Sequence, residues 1–181
     1  MDTKKSFGEI LGKTKFNVYV YSNENGPETR QENFYFNEFS GLRYECVEFA
    51  RRFLISCFGL TFQSIKSAVN LWNMKYFVSI RNKSPVLIRR YFPSINSKID
   101  IGDLIIFNSS RESPDGHVAV VVGSVRFREK MFIYICDQNF NNKKFNTIYN
   151  GIVILLENSI LSDRGNIRGM LGINKKSYYN L

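Results

Sequence analysis

The sequence predicts an α+β domain in which helices near the N-terminus pack on an antiparallel β-sheet. Three observations carry that expectation. Cys46–Phe58 repeats its apolar residues at helical spacing, the second half of the chain holds a series of short β-branched and aromatic runs, and Ser-, Pro- and Gly-rich turns separate those runs. The chain has 181 residues, 44% hydrophobic, 15% aromatic and 23% charged, which excludes a disordered tail or polyelectrolyte and suits a single domain over residues 1–181.

Taken in order, Phe16–Tyr21 (FNVYVY) reads as a first strand and Ser22–Pro27 (SNENGP) as the turn that breaks it. In Cys46–Phe58, Val47, Ala50, Leu54 and Cys57, with Phe49 and Phe53, recur at three- and four-residue intervals, and Arg51, Arg52 and Ser56 lie elsewhere around the helix. Gly59 follows as a left-handed terminator. Ser64–Trp72 is expected as a second, shorter helix. Leu104–Phe107 (LIIF), His117–Val122 (HVAVVV), Phe132–Cys136 (FIYIC), Ile152–Leu156 (IVILL) and Gly169–Ile173 are the expected strands.

The formal charge is +9, yet the Lys and Arg residues are scattered in pairs such as Lys4-Lys5, Arg89-Arg90 and Lys175-Lys176. No zinc-finger, RRM-like or KH-like signature accompanies them, so no nucleic-acid partner is expected, and the charge favours anionic groups such as carboxylates on a small substrate. No apolar run approaches the roughly 18–20 residues of a spanning helix, and the first twenty residues lack an export signal. The expectation is a cytoplasmic protein with no membrane partner. Three widely spaced cysteines argue against a disulfide framework, and a zinc site would need all three plus His117, which the spacing does not suggest. No metal or cofactor is expected.

Of the cysteines, Cys46 alone is placed for chemistry. It begins the predicted helix, where unpaired backbone N–H groups favour a thiolate and can donate to the oxyanion of a tetrahedral intermediate. Cys57 lies near the other end on the apolar stripe and Cys136 inside an apolar strand, where cysteines act as small hydrophobes. His117, the one histidine, follows the Pro114-Asp115-Gly116 turn and opens a strand, so it is the base if any Cys–His chemistry occurs. Asp137 closes the strand FIYIC. It reads alone as a turn-forming residue, and alternatively as the carboxylate that orients the His117 ring.

Gly41–Leu54 (GLRYECVEFARRFL) resembles the nucleophile helix of the CHAP amidases, a papain-like group of cysteine, histidine-dependent amidohydrolases and peptidases. Within that group the chain resembles the amidase domain of the bacterial glutathionylspermidine synthetase/amidases. Phe7–Ser22 is similar to its N-terminal segment, Gly102–Phe107 (GDLIIF) and Gly116–Val122 (GHVAVVV) to the strand before the histidine and the histidine strand, Asp137–Asn139 (DQN) to its E-Q-N, and Met170–Ile173 to its closing strand. The resemblance implies a papain-like fold, Cys46 as nucleophile, His117 as general base and Asp137 as orienting acid. It further implies substrate contacts from Glu45, Arg51, Ile65, Lys66, Ser67, Ala68 and Asn139. Arg51 reads otherwise as a solvated helix charge beside Arg52.

The activity implied is hydrolysis, through a Cys46 thioester and without a cofactor, of the bond between the glutathione glycine and spermidine, a small peptide–polyamine conjugate. Three features depart from the pattern. Asp137 stands in place of Glu, and Glu45 stands in place of Gln, where a carboxylate opposes thiolate formation. The sequence ends at Leu181, from which hydrolysis without synthesis of the conjugate is expected. A peptidoglycan amidase or endopeptidase, a cysteine isopeptidase or protease, and a binding module without turnover are the alternatives.

Overall fold

The computed structural model describes residues 5–24 and 31–178. It is a mixed, sheet-rich α/β fold with few helices. Two hairpins come first, β1 (Ile10–Lys13) with β2 (Tyr19–Tyr21) and β3 (Glu32–Tyr35) with β4 (Glu38–Leu42). Helix α1 (Cys46–Phe58) follows, then β5 (Leu60–Thr61), a 3-10 helix over Ala68–Asn73, β6 (Tyr76–Ser79) and β7 (Pro85–Tyr91). The rest is β8 (Leu104–Phe107), β9 (His117–Phe127), β10 (Lys130–Cys136), β11 (Gly151–Leu155), β12 (Ile160–Leu161), β13 (Ile167–Ile173) and a short α2 (Lys175–Tyr178).

Strands β5 to β13 form one sheet in the order β12-β11-β10-β9-β8-β13-β7-β6-β5, and its neighbouring pairs are antiparallel. Both faces of its centre are buried, and strand alternation divides them. Leu104, Ile106, Val118, Val120 and Val122 face α1 and pack with Phe49, Ala50, Phe53 and Leu54. Ile105, Phe107, Ala119 and Val121 point the other way, into a second core with Ile133, Ile135, Val153, Leu155 and Met170. That core is closed by Ile160 and by Ile95 and Ile99 of the β7–β8 connection.

Helix α1 has the predicted ends. Glu45 precedes it in extended geometry, and Gly59 closes it at φ 61°, ψ 31°, its N–H donating to the Ile55 carbonyl at 3.1 Å. Its surroundings differ from expectation. Arg51 and Arg52 are 1% and 4% exposed, because the two hairpins and the segment after β5 cover the face that the apolar stripe leaves polar.

Two further expectations are corrected. Ser64–Trp72 is not an α-helix: its first residues are irregular, with a bend at Lys66 and Ser67, and only Ala68–Asn73 coils, as a 3-10 helix. The Val69 N–H donates to the Asp115 carbonyl at 3.0 Å, which ties this segment to the loop before His117. Strands β1, β3–β7 and β12 were not expected, and the strand expected from Phe16 begins only at Tyr19. The turn at Ser22–Pro27 lies in part outside the described residues.

Candidate active site

Cys46 is the first residue of α1, at a helix end whose N–H groups have no acceptor within the helix, and it is 9% exposed. His117 opens β9 at the other wall. The turn before it brings the chain close, since a Cβ at Gly116, where φ is 68°, would stand 2.8 Å from the Phe107 carbonyl oxygen. The His117 ring shares the cleft with the Cys46 side chain and feels its charge. Its Nε2 donates to Asp137 Oδ2 at 3.0 Å, which leaves Nδ1 clear of the carboxylate.

Burial alone would lower the His117 pKa. The charge of Cys46 and the Asp137 carboxylate outweigh it and push His117 up to about 10. Asp137 is 1% exposed. Burial would raise its pKa, but its bonds to His117 and Arg164 win and hold it below the usual carboxylate range. By contrast, burial pushes the Cys57 thiol up to about 11 and the Cys136 thiol up to about 12. All three thiols are free.

Between α1, the 65–68 segment and the loop before β9 lies a cleft of about 500 Å³. Of the residues singled out from sequence, Glu45, Cys46, Arg51, Ile65, Lys66, Ser67, Ala68, His117 and Asn139 line it, and Asp137 sits behind His117. Asn139 Nδ2 donates to Glu45 Oε2 at 2.6 Å, so the two cleft walls meet beside Cys46. Gln138 straps the same segment to the helix, donating to Glu48 Oε2 at 3.0 Å and accepting from the Tyr21 N–H at 2.8 Å.

Arg51 is not the solvated charge of one reading. Its Nη1 and Nη2 donate to the Ser40 and Gln63 carbonyls at 2.9 and 3.0 Å, and its guanidinium lies 4.3 Å from the Phe62 ring centre. Nε is buried without a partner among the described residues, and burial lowers the pKa to about 10. Arg51 thus clamps β4 to the 62–64 segment from the cleft floor.

Sequence reasoning missed the residues behind the site. Arg164, from the turn before β13, donates through Nε to Asp137 Oδ2 at 2.8 Å and through Nη2 to Oδ1 at 3.3 Å. Asn150 exchanges two bonds with the Asp137 backbone, at 3.1 and 2.8 Å. Neither has a local signal, because both lie in polar turns that read as solvated. Glu48 closes the buried set at the helix, paired with Arg52 at 2.7 Å.

Among the described residues no group of three or more His, Cys, Asp or Glu side chains converges as metal ligands would, and no helix is long and apolar enough to cross a membrane.

No family model matches the chain. It is similar to the bifunctional glutathionylspermidine synthetase/amidase of Escherichia coli (strain K12), 28% identical over 142 residues that cover 71% of this chain and 23% of the relative. It is also similar to trypanothione synthetase of Crithidia fasciculata, 28% identical over 144 residues, 79% of this chain and 22% of the relative. A glutathionylspermidine synthase from the same organism is 32% identical over 83 residues, 45% of this chain and 12% of the relative. The chain therefore spans less than a quarter of the length of these curated relatives. The resemblance carried by the CVEFARR, GDL and GHV blocks accordingly agrees with similarity to enzymes named for glutathionylspermidine and trypanothione.

Proposed function

We propose that the cleft is the active site of a papain-like cysteine amidase that hydrolyses the amide bond between the glycine carboxyl of a glutathionyl group and a polyamine. The observation that carries this reading is the arrangement Cys46–His117–Asp137, with the sulfur at a helix N-terminus and the imidazole between sulfur and a buried carboxylate. The names of the similar enzymes supply the substrate class.

His117 takes the Cys46 proton, and the imidazolium is stabilised by Asp137. The thiolate attacks the amide carbonyl, and N–H groups of the first turn of α1 donate to the oxyanion, a contribution of about 3–4 kcal/mol in comparable sites. His117 then protonates the departing amine. Water, deprotonated by His117, hydrolyses the thioester and frees glutathione.

The net positive charge of the whole chain does not describe the cleft. Glu32, Glu45, Glu112 and Asp115 line it against Lys66 and the buried Arg51, and this acidic lining supports a cationic amine as leaving group. A second reading, binding without turnover, has one observation in its favour, the Glu45 carboxylate next to Cys46.

The test is release of glutathione and spermidine from glutathionylspermidine by the native chain and by Cys46→Ala. The native chain is expected to release both, and the Ala variant to lose about 10⁴-fold or more in kcat, as removal of a nucleophile does elsewhere. Tight binding by both proteins with release by neither contradicts the amidase and leaves the binding module.

A further inference from the structure

We propose that Arg164 is a positioning residue of this site, which locks the Asp137 carboxylate against His117 and offsets its charge. The inference rests on the reading of Cys46 and His117 as the reacting pair. Arg164 comes from the turn between β12 and β13, far in sequence from every residue of the cleft, and its side chain is 2% exposed. Its fork spans both Asp137 oxygens, and Nε shares Oδ2 with His117 Nε2, at 2.8 and 3.0 Å. That oxygen is therefore fixed in place from behind before the imidazole meets it.

The slot is built for a guanidinium. Nη2 also donates to the Asn150 carbonyl at 2.9 Å, and the plane lies 4.3 Å from the Phe140 ring centre, itself 5.6 Å from the His117 ring. A Cβ on Gly151 would come within 2.8 Å of Arg164 Cζ, so only glycine leaves the room.

Charge completes the argument. With a thiolate on Cys46 and an imidazolium on His117, the four buried groups alternate in sign and sum to zero; without Arg164 they sum to −1. The other titratable groups against Arg164 are Asp163 on its own turn, paired through Nη1 at 2.5 Å but 65% exposed and so screened, and the buried thiol of Cys136. Removing a buried cation favours the protonated form of every group around it. Loss of the Arg164 charge therefore moves the titrations of both Cys46 and His117 to higher pH, an outcome that mere loosening of the fold does not produce.

The experiment is the pH profile of Cys46 alkylation by iodoacetamide, followed by peptide mass spectrometry, in the native chain, Arg164→Gln and Arg164→Lys. In the Gln variant both limbs are expected to move up by about one pH unit. Lys restores the charge without the fork, so its limbs are expected within a few tenths of a unit of native while its maximal rate stays about tenfold low. Limbs in the Gln variant that coincide with native, whatever the rate, overturn the proposal. Should the Gln variant fail to fold, Lys decides, and a native maximal rate there overturns it. A native chain whose Cys46 reacts below pH 7 no faster than its Cys57 refutes the reacting pair itself, whereas native limbs unmoved by substitution refute only the role of Arg164.

Discussion

Asp137 Oδ2 takes both the His117 and the Arg164 bond, so the orientation of the imidazole hangs on one oxygen. Replacing Asp137 by Asn turns an acceptor into an amide and favours the wrong His117 tautomer; kcat is expected to fall about 10²–10⁴-fold with little change in KM, measured by amide hydrolysis. Glu45→Gln removes the carboxylate beside Cys46, and the alkylation rate of Cys46 at pH 6 is expected to rise a few-fold, where an unchanged rate denies that Glu45 acts on the thiol. The cleft residues were legible because their surroundings in sequence are informative: Cys46 opens a clear amphipathic stripe, and His117 and Asp137 stand at the ends of two apolar strands. Arg164 was not legible, since Ser162–Asn166 (SDRGN) reads as a solvated turn and only tertiary packing buries it.

At the level of the elements, α1 is amphipathic in sequence yet covered on its polar side as well. Glu48 and Arg52 are paired at 2.7 Å with side chains 0% and 5% exposed, and Asn33, Ser40 and Gln138 complete the carboxylate's bonds. Glu48→Ala leaves the Arg52 charge buried without its carboxylate, against the Tyr19 carbonyl, Gln138 and the Tyr21 and Phe49 rings, and is expected to cost about 3–5 kcal/mol in urea unfolding. Gly116→Ala forces a side chain into a left-handed position against Phe107 and Val69, and is expected to lower Tm and displace His117, which a native-like activity would contradict. The α1 boundaries and the central strands were legible because period and terminator agreed. The β3–β4 hairpin and β6–β7 were not, since β3 buries none of its residues and β4, β6 and β7 bury only one or two each among charged, polar and half-exposed neighbours.

Across the whole molecule, charge is divided between a basic exterior and an acid-lined cleft, a division that the net charge of +9 conceals. The buried pair also couples the site to stability. Because the His117 pKa is higher in the fold, at about 10, than its ordinary value of about 6.5, its contribution is complete below pH 6.5 and is lost as pH rises through 10. The native urea midpoint is expected to fall between pH 7 and pH 10, and Cys46→Ala, which removes the opposite charge, to flatten most of that slope. The antiparallel sheet was legible from its apolar runs, but which turns meet behind the cleft depends on strand order, which a single sequence does not display. Activation of Cys46 by His117 is read from site-resolved iodoacetamide alkylation at pH 7 in the native chain and in His117→Ala. Cys46 is expected to be modified at least about tenfold faster than Cys57 and Cys136 in the native chain, with that advantage lost in the Ala variant. A Cys46 no faster than Cys57, or one equally fast without the imidazole, contradicts that activation.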